Sequence, residues 1–216
     1  MHPPRDISSL QAHEIHVRID RTTALSGVSA DFAAGTVTAL CGGNGSGKST
    51  LLGVLAGTIE PQSGRVLGTT RRPALVVQRS AASDTLPLSV LEVVSMGRWA
   101  HRGMWRRLDA GDRETVRSCM RALGIQNLAD RPLGSLSGGQ RQRALVAQGL
   151  ARRADVLLLD EPTAGVDASA QQLIIAALRA ESRRGAIVVH ATHEESVLNE
   201  ADAILRLERG RTVRPS

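Results

Sequence analysis

Three observations predict an α/β fold with a mainly parallel sheet. Short apolar runs alternate along the chain with segments of helical spacing. One run, "DVLLLDE" (155–161), is apolar almost without interruption, as expected for a strand covered on both faces. Another, "TVTALC" (36–41), leads directly into a glycine-rich loop and then a helical pattern.

After the strand at 36–41, "TLLGVLAG" (50–57) has helical spacing, with Gly57 where a helix can end and Pro61 soon after. "PALVVQ" (73–78) reads as a strand. "LSVLEVVSMG" (88–97) and "DRETVRSCMRALG" (112–124) read as helices, the second closing at Gly124. "SLSGGQRQR" (135–143) puts a glycine pair at the start of another helix-like stretch, "ALVAQGLA" (144–151). The strand at 155–161 is followed by the helix "AQQLIIAALRA" (170–180), with Asp167 or Ser169 as N-cap. "GAIVVHATH" (185–193) and "AILRLE" (203–208) read as strands. Residues 80–149 lack strong strands and are predicted to form a separate helical lobe. No internal repeat or low-complexity linker appears.

The 216 residues, 42% of them hydrophobic, suit one globular domain or one domain with two lobes. No apolar run approaches the roughly 18 residues needed to cross a bilayer. The start, "MHPPRDISSL", has no continuous apolar core and predicts no secretory signal. Two cysteines, Cys41 and Cys119, suggest no disulfide framework and fit a reducing cytoplasm. The net charge of +6 fits a solvated basic surface, a nucleic-acid partner or an anionic membrane face, and does not choose among them. The distribution of that charge is more telling. Of 27 basic residues all but Lys48 are arginine. The position that resists the bias therefore needs a compact ammonium rather than a planar fork.

Lys48 lies in "GGNGSGKS" (Gly42 to Ser49), which fits the phosphate-loop pattern G-x-x-x-x-G-K-[ST] between a strand and a helix. Such a loop wraps phosphates with backbone N–H groups at a helix N-terminus. Lys48 is expected to reach the β- and γ-phosphates, and the Ser49 hydroxyl to bind Mg²⁺. "VLLLDE" carries a carboxylate pair to a strand end. Asp160 is expected to hold Mg²⁺ and Glu161 to orient and deprotonate the attacking water.

With these residues, "LSGGQ" (136–140) resembles the signature of the ATP-binding cassette ATPases, the motor subunits of ABC transporters. The resemblance covers nearly the whole chain. Gln78 stands as the Q-loop glutamine, "AGVD" (164–167) as the D-loop with Asp167, and His193 in "ATHEE" as the switch histidine. The family implies a P-loop NTPase core, about 1–79 and 150–216, with an inserted helical subdomain at about 80–149. It implies ATP and Mg²⁺ as cofactors. ATP contacts fall on Gly42, Gly43, Asn44, Gly45, Ser46 and Gly47, and on Lys48, Ser49 and Thr50. The metal falls to Ser49, Gln78 and Asp160, and hydrolysis to Glu161, His193 and Gln78.

The resemblance also explains why one chain carries two glycine-rich helix starts. In that family two copies pack head to tail, and each ATP lies between the phosphate loop of one and the signature of the other. Ser137, Gly138, Gly139, Gln140 and Asp167 are thereby expected to serve the partner's nucleotide. The family implies a homodimer, a separate transmembrane permease, a substrate-binding protein and a peripheral place on the cytoplasmic side of the cell membrane, with no nucleic acid. Two residues depart from its pattern. Ile19 stands where an aromatic usually stacks on adenine, with Arg18 beside it to help by stacking, and Gly43 stands where many members have proline.

The stretch 76–116, with "MGR" and the basic-aromatic run "RWAHRGMWRR" (98–107), resembles the branch that imports zinc, manganese or chelated iron. It implies zinc or manganese as cargo, with an iron-siderophore or heme as alternative. A soluble non-transport cassette is the third reading. That run reads as a docking patch, a solvated loop or a nucleic-acid patch. The pairs His13/His16 and His190/His193 lack the further ligands of a tetrahedral zinc site.

Overall fold

The computed structural model describes residues 8–68, 73–77, 88–99 and 107–213. Two sheets form. The larger has the order β5-β6-β7-β3-β8-β9 and comprises Ala74–Val76, Val156–Asp160, Ile187–Ala191, Val37–Cys41, Ala203–Glu208 and Arg211–Val213. It is parallel except for the β8–β9 hairpin. The smaller has the order β2-β1-β4 and is antiparallel, from Thr22–Ala33, Ser9–Ile19 and Ser63–Leu67.

Period-two alternation sorts the strand side chains of the parallel sheet onto two buried faces. Leu157, Leu159 and Val188 join one core cluster, whereas Val156, Leu158, Ile187 and Val189 join the other. The first face is covered by four helices: α2 (Val90–Met96), α3 (Ala110–Ala122), α4 (Gly138–Ala151) and α5 (Ala168–Arg183). The second is covered by α1 (Lys48–Leu55) and the antiparallel sheet, through Leu10, Ile15, Val28 and Phe32. A one-turn helix, α6 (Glu195–Leu198), follows β7.

Helix starts follow from local chemistry. Ser89 and Glu92 form a capping box on α2, Asp109 and Asp112 one on α3, and Ser137 and Gln140 one on α4. Asp167 rather than Ser169 caps α5, accepting from the Ala170 amide at 2.8 Å. The expected close at Gly124 is seen: its φ is +61, and the Ile125 amide donates back to the Met120 carbonyl. The helical pattern at 112–124 begins earlier than expected, at Ala110, because the cap is Asp109.

The docking-patch reading of residues 98–107 needs correction at its first residue. The Arg98 guanidinium donates to Asp112 at 2.9 Å and to the Ala151 carbonyl at 2.9 Å, joining the end of α2 to α3 and α4. With both side chains of the ion pair largely buried, Arg98 is a strut of the helical layer rather than an exposed cation. Residues 100–106, including Trp105, lie outside the described residues.

His190 sits on β7 between Ala39 and Leu159, buried, with Nδ1 unpartnered. Burial pulls its pKa down to about 4, so it is neutral in the folded protein. The unfolded chain binds a proton at this side chain below about 6.5, and the folded chain only near 4. Acid therefore favours unfolding through His190: stability is whole above 6.5 and falls towards pH 4, by up to about 3 kcal/mol. Urea unfolding at pH 7 and pH 4.5 is expected to show a smaller acid loss in His190→Met than in the native chain. Equal losses would refute this assignment.

Candidate nucleotide site

Strand order decides where a ligand can bind. β3, β6 and β7 lie side by side and parallel, so their C-terminal ends meet at one edge of the sheet. Open α/β sheets bind ligands at such an edge. The Gly42–Lys48 loop leaves β3 there, Glu161 follows β6, and His193 lies two residues beyond β7.

These parts surround a cleft of about 990 Å³, lined by the loop from Gly42 through Thr50, by Ile19, Asp20 and the start of β2 (Thr22, Thr23, Ala24), and by Glu161 and His193. The loop's conformation needs its glycines. Gly42 has φ +149, and a Cβ there would collide with the Leu207 carbonyl; Gly47 has φ +105, and a Cβ would lie 2.7 Å from the Ala24 carbonyl oxygen. The Lys48 ammonium donates to the carbonyls of Gly42 at 2.8 Å and Gly43 at 3.1 Å, which holds it inside the loop. Gly43 itself faces open space, so the departure from proline removes no contact.

The start of α1 differs from those of α2 to α5. Each of those four has a side-chain cap, whereas the N-cap position of α1 is Gly47, which supplies none, and its first turn has no acidic residue. Its first amides therefore face the cleft without a side-chain acceptor, an arrangement suited to an anion.

Glu161 is a non-glycine residue at φ +48, a strained conformation that turns it off the end of β6 into the cleft. Its Oε1 lies 3.5 Å from Nδ1 of His193. Its carbonyl accepts from the buried Gln142 amide at 3.4 Å, tying the signature helix α4 to this loop. Asp160 ends β6 opposite Ala191, half-buried, and is not among the lining residues.

A Mg²⁺ ion fits this donor set. Ser49 lines the cleft and Asp160 ends the adjoining strand, and both side chains offer hard oxygen ligands. Among the described residues no group of three or more His, Cys, Asp or Glu is placed to hold a metal. Gln78, the remaining expected ligand, lies outside the described residues.

The second glycine motif is elsewhere. Ser137 caps α4, its Oγ accepting from the Gln140 amide at 3.3 Å while the Gln140 side chain accepts from the Ser137 amide at 3.2 Å. Ser137 and Gly138 are exposed, and a Cβ on Gly138 would meet nothing within 4 Å. Gly139 packs near Val166 of the 164–167 loop. None of Ser137, Gly138, Gly139, Gln140 or Asp167 lines the cleft of its own chain. Asp167 is engaged as the cap of α5, and the Ala170 amide, then the Ser169 hydroxyl, hold its carboxyl below the usual range. Ile19 lines the cleft and is 48% exposed there, whereas Arg18, the next residue back on β1, is not among the lining residues.

Sequence reasoning missed Gln142, Gln171 and Glu194. Gln142 reads in sequence as one more polar residue in the polar start of α4, and its burial emerges only in the fold. Glu194 reaches Gln171 at 2.8 Å and Thr163 at 3.5 Å, partners that adjacency in sequence does not reveal.

A parallel sheet with a phosphate loop leaving its central strand, and carboxylates leaving the next strand but one, defines a P-loop nucleotide hydrolase. Residues 25–164 match the family model described as ABC transporter, and the chain belongs to that family of ATP-binding, ATP-hydrolysing subunits. It is 37% identical to the manganese transport system ATP-binding protein MntA of Synechocystis, over 81% of this chain and 71% of that protein. It is also 37% identical to the hemin import ATP-binding protein HmuV of Streptomyces coelicolor, over 91% of this chain and 74% of that protein. Among solved structures, cbiO1 from Clostridium perfringens, part of the ABC transporter complex cbiONQ, is similar at TM-score 0.76 and 30% identity, with 97% of this chain and 88% of that one covered.

Proposed function

We propose that the chain is the motor ATPase of a metal-ion importer and works as a head-to-tail homodimer beneath a separate membrane permease. The observation that carries the dimer is the separation of the two glycine motifs. The phosphate loop, Glu161 and His193 share a cleft, while the exposed start of α4 lies outside it. A second copy brings its Ser137, Gly138, Gly139, Gln140 and Asp167 to the open side of that cleft.

In this reading the loop amides and Lys48 bind the β- and γ-phosphates, and Ser49, Asp160 and Gln78 hold Mg²⁺. The ion neutralises phosphate charge when bound. Glu161 accepts the proton of the attacking water, and His193 holds Glu161 and the γ-phosphate in place. Closure of the dimer on ATP and its reopening after hydrolysis drive the permease. The core at about 1–79 and 150–216 binds nucleotide, and the helical subdomain at about 80–149 docks the permease. No helix among the described residues is long and apolar enough to cross a membrane, and we place the chain peripherally on the cytoplasmic face, with a substrate-binding protein delivering cargo.

Manganese or zinc is the proposed cargo, supported by the resemblance of residues 76–116 and by the likeness to MntA. The equal identity to HmuV supports heme or an iron-siderophore as the second reading. The test is ATPase activity of the chain reconstituted with its permease and binding protein. Stimulation by the manganese- or zinc-loaded binding protein is expected. Stimulation by the heme-loaded form alone would select the second reading, and co-purification with ribosomes or DNA in place of a permease would refute transport.

Ile19 gives the adenine an aliphatic surface, which distinguishes adenine poorly from guanine. ATP and GTP titrations are expected to show modest selectivity, and Ile19→Tyr to tighten ATP by about 1 kcal/mol through added stacking. A strong ATP preference in the native chain would mean that another group reads the base.

A further inference from the structure

We propose that Glu194 is a positioning residue for hydrolysis, holding the His193 loop against the loop that carries Glu161. The inference rests on the proposed roles of Glu161 and His193. His193 is well exposed, and its imidazole approaches Glu161 Oε1 at 3.5 Å. A side chain so placed needs its backbone fixed from behind if it is to meet both a carboxylate and a phosphate.

Glu194 does this from the next position. Its Oε2 accepts from Gln171 Nε2 at 2.8 Å, in the first turn of α5. Its Oε1 accepts from the hydroxyl of Thr163 at 3.5 Å, two residues after Glu161. Its own amide donates to Thr192 Oγ1 at 3.2 Å. Thr163 and Thr192 are both buried, so these anchors are set by the core. Gln171 also donates to Ser196 at 3.3 Å, which ties α5 to the first turn of α6. One carboxylate thus joins three segments: the loop after β6, the start of α5 next to Asp167, and the loop after β7. Glu194 does not line the nucleotide cleft, so it acts through His193 rather than on ATP.

The chemistry distinguishes acceptor from charge. Both partners of the carboxylate are donors. In Glu194→Gln the new side-chain amide can accept from Gln171 through its oxygen while donating to Thr163 through its nitrogen. Glu194→Gln should therefore keep the clamp and Glu194→Ala should lose it. ATP hydrolysis by the full chain, with ATP binding measured separately, is the test. Glu194→Ala is expected to lower kcat about tenfold with the ATP KM within about twofold of native, because a mispositioned group affects the transition state more than binding. Glu194→Gln is expected to restore kcat to within about threefold of native. Gln171→Ala cuts the same bond from α5 and is expected to repeat the kcat loss, which covers the case in which Glu194→Ala does not fold. Native-like kcat in both alanine variants, or loss through KM alone, or equal loss in Glu194→Gln, would overturn the proposal. An inactive native chain would instead refute the hydrolytic reading on which it rests.

Discussion

Glu161→Gln is expected to bind MgATP and to hydrolyse it about 100- to 1,000-fold more slowly than the native chain. Glu161 occupies an unusual backbone conformation at φ +48, and its carboxylate faces the cleft beside His193. The amide has nearly the shape of the carboxylate and keeps the acceptor oxygen, so the fold and the nucleotide contacts should survive. It cannot take the proton of an attacking water. ATP should then remain in the composite sites, and the variant should run as a dimer on gel filtration with ATP and Mg²⁺. A monomer with native turnover would remove Glu161 from the mechanism.

The second large effect is expected at Lys48. The chain tolerates arginine at every other basic position, and the structure shows why this one differs. Lys48 is only 7% exposed, its ammonium lying between the carbonyls of Gly42 and Gly43. The planar guanidinium of Lys48→Arg is wider and does not fit a loop closed at Gly42 by the Leu207 carbonyl. Hydrolysis is expected to fall by about 100-fold or more, although the charge is retained. The same burial makes Lys48 a slow target for amine reagents, so kinetics is the better readout. An Arg variant with native kcat/KM would mean that only the charge matters here.

Most of the parallel sheet was legible because its strands are apolar runs buried on both faces, as at Val156–Asp160 and Ile187–Ala191. The phosphate loop was legible because its glycines and lysine are needed at fixed spacing. The antiparallel sheet was not read. Its strand Ser9–Ile19 buries Leu10, Ala12, Ile15 and Val17, but register shifts break the alternation around Ala12, Ile15 and Val17. Its partner Thr22–Ala33 is diluted by serine, threonine and glycine. The hairpin strand Arg211–Val213 is too short to leave a pattern. At the site, Lys48 and Glu161 were legible from motif chemistry, and His193 through the family resemblance. Glu194, Gln171 and Gln142 were not, because their importance lies in partners many residues away.

In the proposed head-to-tail dimer each ATP is hydrolysed between the phosphate loop of one copy and the signature helix of the other. This arrangement is tested most directly by mixing two inactive variants, Lys48→Ala and Ser137→Arg, and measuring phosphate release in a single turnover. In a head-to-tail mixed dimer one composite site carries both lesions and the other carries neither. Release of about one phosphate per mixed dimer is expected, well above the sum of the separate variants. Release no greater than that sum would contradict the account, because it is the result given by sites completed within a single chain.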